Sequence, residues 1–230
     1  MAQAGVASRR EADALIAGGR VVVNGCVMRE LGTQVRAEDR IEVNGAAIKP
    51  TPTRVYLVLH KPPGVVTTLR DPQGRRTIAD LLPAGPRVVP VGRLDYDTSG
   101  VLLLTNDGEL TNKLLHPRFG VEKRYRATIA GRLDERAVHR LREGVRLDGG
   151  RTAPAAVRVV AVRRDRSIVD LTLHEGRNRQ VRRMFEALGH PVYALTRLRF
   201  GPVALGQLPA GRVRKATGKE RAALERIRRT

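Results

Sequence analysis

The sequence predicts an α+β protein with a mostly antiparallel sheet. Many short apolar runs read as strands, and only three or four helical segments lie between them. There is no regular βαβ alternation and no GxGxxG loop, which argues against a doubly wound nucleotide-binding fold. Apolar residues make up 41% of the 230 residues, enough for a packed core and too many for a disordered chain.

In chain order, Ser8-Arg9-Arg10-Glu11 has the form of a capping box. Ala12, Leu15 and Ile16 give the helix an apolar side, and Gly18-Gly19 ends it. Residues 20–23 read as a strand closed by the hairpin signal Asn24-Gly25, and residues 41–43 as another closed by Asn44-Gly45. This block resembles the small RNA-binding domain of the ribosomal-protein-S-four type, placed here at residues 1–48. The resemblance implies that Arg9, Arg10 and Arg20 touch RNA. By pattern alone Arg9 and Arg10 also read as a solvated first turn. The family has one more helical segment before the stretch matching Ala4-Gly5-Val6-Ala7-Ser8, so the module is expected to be shortened. Residues 49–54, Lys49-Pro50-Thr51-Pro52-Thr53-Arg54, read as an extended linker, because alternating prolines disfavour helix and sheet.

A larger domain is expected over residues 55–217. Residues 55–59 read as a buried strand, Lys61-Pro62-Pro63-Gly64 as a turn, and residues 65–68 as the return strand. Residues 70–76 form a polar loop exposing Arg70, Arg75 and Arg76, suited to an RNA backbone or simply solvated. Residues 77–82 read as a short helix before Pro83. Val88, Val89 and Val91 form a strand ending at Gly92, and residues 101–104 a fully buried one. Asp95 lies between them. It is a turn aspartate by local pattern, or a nucleophile or base if it sits at a strand end in a groove. Asn106-Asp107-Gly108-Glu109 opens a helix that runs to His116 and stops at Pro117, so Asp107 reads as a cap.

Residues 123–129 alternate as a strand, with Tyr125 on the face opposite Arg124 and Arg126. Residues 134–143 form an amphipathic helix with Ala137, Val138 and Leu141 inward and Gly144 at its end. Residues 157–162 and 168–174 pair antiparallel across a basic tip. Residues 175–185 enter a helix that buries Val181, Met184, Phe185 and Leu188 and stops at Gly189. Arg179, Arg182 and Arg183 crowd its start, where the helix dipole disfavours cations, so a carboxylate or phosphate partner is expected. Residues 192–200 and 203–208 complete a strand-rich end. Residues 218–230 form a basic tail, as a short helix or frayed.

Gly92-Arg93-Leu94-Asp95, followed by Thr98-Ser99-Gly100-Val101-Leu102-Leu103-Leu104-Thr105, resembles the signature of ribosomal RNA pseudouridine synthases of the RsuA/RluB/RluE/RluF branch. Lys61-Pro62-Pro63-Gly64 matches the same family. The run Arg177-Asn178-Arg179-Gln180-Val181-Arg182-Arg183-Met184 resembles the large-subunit enzymes more than the small-subunit one. The resemblance implies the pseudouridine synthase fold. It also implies isomerisation of a uridine, expected in large-subunit ribosomal RNA, with Asp95 as nucleophile or base and no cofactor. Tyr125 would pack against the target base, although by pattern it also reads as a core tyrosine. Arg182, after Gln180-Val181, would pair with Asp95 and keep it ionised. Arg93 would hold the extruded nucleotide or fill the space it leaves, while Arg179 and Arg183 would contact RNA.

The formal net charge of +20 points to a polyanion. It is uneven: residues 1–50 carry net +1, residues 51–217 net +16 and residues 218–230 net +3. Cys26 is the only cysteine, which excludes an intrachain disulfide and a cysteine-based zinc site. The histidines show no tight metal-ligand spacing, so no metal site is expected. No apolar run approaches the ~20 residues of a membrane span, and a cytoplasmic monomer is expected. The rival reading is a non-catalytic ribosomal-RNA-binding or ribosome-assembly protein, which would not need Asp95, Tyr125 and Arg182 together. A glycosidase or nuclease is disfavoured because Asp97 is the only candidate second carboxylate.

Overall fold

In the computed structural model, residues 1, 4–36, 38–48 and 53–230 are described. Residues 49–52 of the expected linker lie outside them. The chain divides into two units. One comprises Met1–Val55 with Gly85–Val88 and Asn106–Gly108; the other comprises the remainder from Tyr56 to Thr230.

In the first unit, α1 (Arg9–Ala17) starts at the expected capping box, with the Ser8 side chain and Glu11 satisfying each other's backbone N–H. Four strands, β1 (Val21–Val23), β2 (Cys26–Met28), β3 (Ile41–Val43) and β4 (Ala46–Ala47), form a sheet in the order β2-β1-β3-β4. Both Asn-Gly pairs adopt positive φ, with Asn24 at 52°, Gly25 at 85°, Asn44 at 50° and Gly45 at 78°. That is the backbone a two-residue hairpin between twisted strands requires.

The second unit is built on one mixed sheet. Its strands are β5 (Tyr56–Lys61), β6 (Val89–Pro90), β7 (Thr98–Thr105), β8 (Lys123–Ala130), β11 (Ala156–Val162), β12 (Arg166–Leu173), β13 (Val192–Phe200), β14 (Val203–Ala204) and β15 (Val213–Lys215). A separate hairpin pairs β9 (Arg146–Leu147) with β10 (Gly150–Arg151). The path is β11-β12-β8-β13-β7-β5-β15, with β14 on β13 and β6 on β7. Among the described residues every pairing in it is antiparallel except β13 with β7. The α+β class with a mostly antiparallel sheet is therefore correct.

Helices α2 (Gly108–Leu115), α3 (Glu135–Glu143), α4 (Gln180–Glu186) and α5 (Gly218–Arg229) complete the fold. Two cores follow from their apolar faces. Ala137 and Leu141 of α3 and Val181, Met184 and Phe185 of α4 pack with the β8, β12 and β13 residues Ala127, Ile129, Leu171 and Leu195. Leu110, Leu114 and Leu224 pack with Val58, Val101, Leu103, Phe200 and Val203.

One expectation is corrected here, one pair of alternatives is decided and one strand is added. Residues 65–68 are not a return strand, since only Val66 makes an isolated bridge, to Thr77. Both edges of β5 are already taken, by β7 and β15. Second, of the helix and the frayed tail expected for residues 218–230, the helix forms, as α5. Thr217 and Glu220 form a capping box, Arg214 pairs with Glu220 at 2.6 Å, and Leu224 is fully buried. Burial alone would raise the Glu220 carboxyl, but the Arg214 guanidinium and backbone donors bring it down to about 2. Third, the strand β15 lies in a stretch not read as structured.

Candidate active site

Asp95 sits on the loop between β6 and β7, and backbone contacts fix that loop at both sides. The Thr67 hydroxyl donates to the Leu94 carbonyl at 2.7 Å and accepts from the Leu94 N–H at 3.3 Å. The Tyr96 carbonyl accepts from Gly64 N at 2.8 Å and from Lys61 Nζ at 3.4 Å. The Thr98 N–H closes the turn on the Asp95 carbonyl at 3.1 Å. The Lys-Pro-Pro-Gly segment thus serves as a brace beneath Asp95 instead of a hairpin turn.

Lys61 is fully buried and also donates to the carbonyls of Pro62 and Val65, at 2.8 and 2.7 Å. Burial lowers its ammonium to about 8, while the carboxylates of Asp95 and Asp97 pull the other way. A lysine depressed in the folded state carries a penalty below about pH 8 that is relieved as pH rises toward its ordinary 10.5. The free energy of unfolding of the parent, relative to Lys61→Met, is expected to rise across that window by up to about 3 kcal/mol. Urea denaturation at pH 7.5, 9 and 10 measures this; a flat difference would contradict it.

A cleft of about 390 Å³ opens beside Asp95. Arg93, Asp95, Tyr125 and Arg179, all expected site residues, line it together. Tyr125 is presented by β8, in register with Arg197 of β13. Residues in such a cross-strand pair project to the same face. Lys123, Arg197 and Phe200 also line the cleft. Lys61 entered from sequence only as part of the Lys61-Pro62-Pro63-Gly64 run and without a role, and Lys123 and Arg197 were not singled out. The signal for those two was their place in alternating strands, where an apolar residue would normally stand.

The expected pair of Arg182 with Asp95 is corrected. Arg182 is buried behind the cleft, and its Nη2 lies 3.1 Å from both the Asp97 carboxylate and the Asp97 carbonyl. Its Nη1 donates to the Val192 carbonyl at 3.0 Å. Arg179, with φ of 49° at the start of α4, reaches the other Asp97 oxygen at 3.5 Å. Arg183 pairs with Asp148 at 2.8 Å. The partners anticipated for cations at this helix start are thus carboxylates, and the one facing Arg182 stands two residues beyond Asp95. Arg182→Met would strand these acceptors and is expected to destabilise by about 2–4 kcal/mol, lowering Tm by roughly 5–15 °C. An unchanged melting curve would show that Arg182 does not anchor the loop.

Arg9, Arg10 and Arg20 are exposed on the first unit. Among the described residues no group of His, Cys, Asp and Glu could hold a metal ion, and no helix is long and apolar enough to cross a membrane.

Residues 55–187 match the RNA pseudouridylate synthase family and residues 1–41 the S4 domain. The chain is 47% identical over 223 residues to ribosomal large subunit pseudouridine synthase B of Bacillus subtilis (strain 168), covering 96% of this chain and 91% of that one. It is 43% identical to the Yersinia pestis protein of the same name, covering 92% and 69%. A solved pseudouridylate synthase crystal structure superposes with a TM-score of 0.71 at 32% identity, covering 97% of this chain and 96% of that one. The chain belongs to the RNA pseudouridylate synthase family.

Proposed function

We propose that this synthase converts a uridine of large-subunit ribosomal RNA to pseudouridine, with Asp95 as the reacting carboxylate and without a cofactor. The observation that carries the reading is the placing of Asp95 and Tyr125 on one cleft whose remaining polar lining is largely cationic. Isomerisation breaks the bond from C1′ to N1, turns the base and joins C1′ to C5. Asp95 acts at the sugar or the ring as nucleophile or base. Tyr125 packs on the extruded uracil, and Arg93 at the exposed mouth holds the displaced nucleotide. Arg182 acts indirectly, by tying the end of the Asp95 loop to α4 through Asp97. Arg179 and Arg183 meet phosphate, as do Arg9, Arg10 and Arg20 on the other unit, so two linked contacts raise affinity beyond either alone.

The relatives named as large-subunit enzymes support the choice of RNA. The test is to incubate the protein with unmodified large- and small-subunit ribosomal RNA and map pseudouridine in each. Formation at one large-subunit uridine is expected. Binding to both RNAs with modification of neither would favour the non-catalytic ribosome-assembly reading.

A further inference from the structure

The floor of the cleft carries a buried cation that the reading above leaves unused. Arg197 is 3% exposed and lines the same cleft as Asp95 and Tyr125. Its Nε donates to the Val101 carbonyl at 2.9 Å, and its guanidinium carbon lies 4.8 Å from the Phe200 ring centroid. Its Nη2 is buried with no hydrogen-bond partner, and no carboxylate pairs with it among the described residues. Beside it, the Lys123 ammonium lies 5.8 Å from the same ring and donates to the Val121 carbonyl at 3.1 Å. Burial and the charge of Arg197 push that ammonium below the usual lysine range, against the pull of Glu175.

A buried guanidinium without a paired anion, next to a half-buried ammonium whose charge Glu175 offsets in part, is costly. Such an arrangement is useful where negative charge arrives during a reaction, because preorganised donors then act in a water-poor site. A phosphodiester is strongly hydrated and belongs at the mouth. A buried, aromatic-backed guanidinium suits a planar, delocalised anion, to which it can present parallel N–H donors.

Heterolysis of the bond from C1′ to N1 leaves the electron pair on the uracil ring, spread over N1, O2 and O4. We infer that Arg197, assisted by Lys123, binds the uracil ring and stabilises the negative charge it takes up as that bond breaks. The ring then returns the electron pair from C5 to form the bond to C1′; the C5 proton leaves to a base and N1, freed of the sugar, takes up a proton, which gives the neutral isomer. No electrons are gained or lost overall. The inference rests on the pseudouridine reading of the site and adds a second catalytic group to Asp95.

The test compares parent, Arg197→Met and Arg197→Lys in single turnover. The substrate is an RNA fragment that the parent modifies, carrying uridine or 5-fluorouridine at the target. Fluorine at C5 withdraws electrons and stabilises the ring anion by itself. Cleavage of the original glycosidic bond is read by mass spectrometry of nuclease digests, and RNA affinity is measured in parallel. Arg197→Met is expected to slow cleavage of uridine by about 100-fold or more, with RNA affinity unchanged. With 5-fluorouridine the deficit is expected to shrink by roughly tenfold, and Arg197→Lys recovers part of the rate.

An equal deficit on both substrates, or one repaired by saturating RNA, would overturn the inference in favour of a structural or phosphate-binding role. If Arg197→Met does not fold by circular dichroism, Arg197→Lys and Lys123→Met carry the same comparison. An active parent with an unaffected Arg197→Met overturns this inference alone. A parent that forms no pseudouridine in any ribosomal RNA overturns the functional reading and the inference together.

Discussion

Asp95→Asn is expected to lower the rate of pseudouridine formation by a factor on the order of 10⁴ or more, leaving RNA affinity and thermal unfolding nearly unchanged. The amide is isosteric, but it is neither a nucleophile nor a base. The loop does not depend on the carboxylate for its shape. Thr67 holds Leu94, Lys61 and Gly64 hold the Tyr96 carbonyl, and Thr98 closes on the backbone of Asp95. The strong ion pair of this region falls on Asp97. Activity and stability therefore separate at Asp95, as they would not if Arg182 were its partner. Single-turnover assays on a saturating RNA fragment, with melting curves and binding isotherms for both proteins, give the comparison. A variant retaining a tenth of the parent rate would remove Asp95 from the chemistry. A variant that loses its fold would place the carboxylate in the structure instead.

Much of the local structure was legible because short-range chemistry decides it. The capping box at Ser8 and Glu11 and the positive-φ hairpins at Asn24-Gly25 and Asn44-Gly45 needed nothing beyond neighbouring residues. The helix of residues 134–143 was likewise fixed by Asp134 at its start and Gly144 at its end. The joint placing of Asp95 and Tyr125 came from family likeness, not from spacing. What was missed is non-local. Residues 65–68 look like a strand, but no sequence pattern reveals that β5 already has two neighbours. The true partner of Arg182 turns on a two-residue difference between Asp95 and Asp97, which pattern cannot separate. Lys61 reads only as part of a turn and Arg197 only as one residue of a strand, and it takes the packed sheet to show that both are buried.

The Thr98-Ser99-Gly100 stretch also has a physical reason apart from chemistry, and it sets the largest expected stability effect. Gly100 on β7 lies in parallel register with Arg197 on β13, the strand pair joining the two halves of the sheet. A Cβ added at Gly100 would stand 2.3 Å from the Arg197 carbonyl oxygen and 2.4 Å from its nitrogen. Those are backbone atoms, which cannot swing aside as a side chain can. The φ of +119° adds strain that only glycine avoids. Gly100→Ala must therefore separate β7 from β13, and it is expected to cost about 4 kcal/mol or more, lowering Tm by roughly 8–16 °C. Gly149→Ala supplies the contrast. That glycine also has positive φ, 87°, but nothing lies within 4 Å of the added carbon, so only the backbone strain of about 1–2 kcal/mol remains. Calorimetry on both variants separates close approach from conformational preference. Equal shifts would mean that strand contact contributes nothing at Gly100, whereas a much larger loss there would explain why no side chain can stand between the Asp95 loop and the strand that carries Arg197.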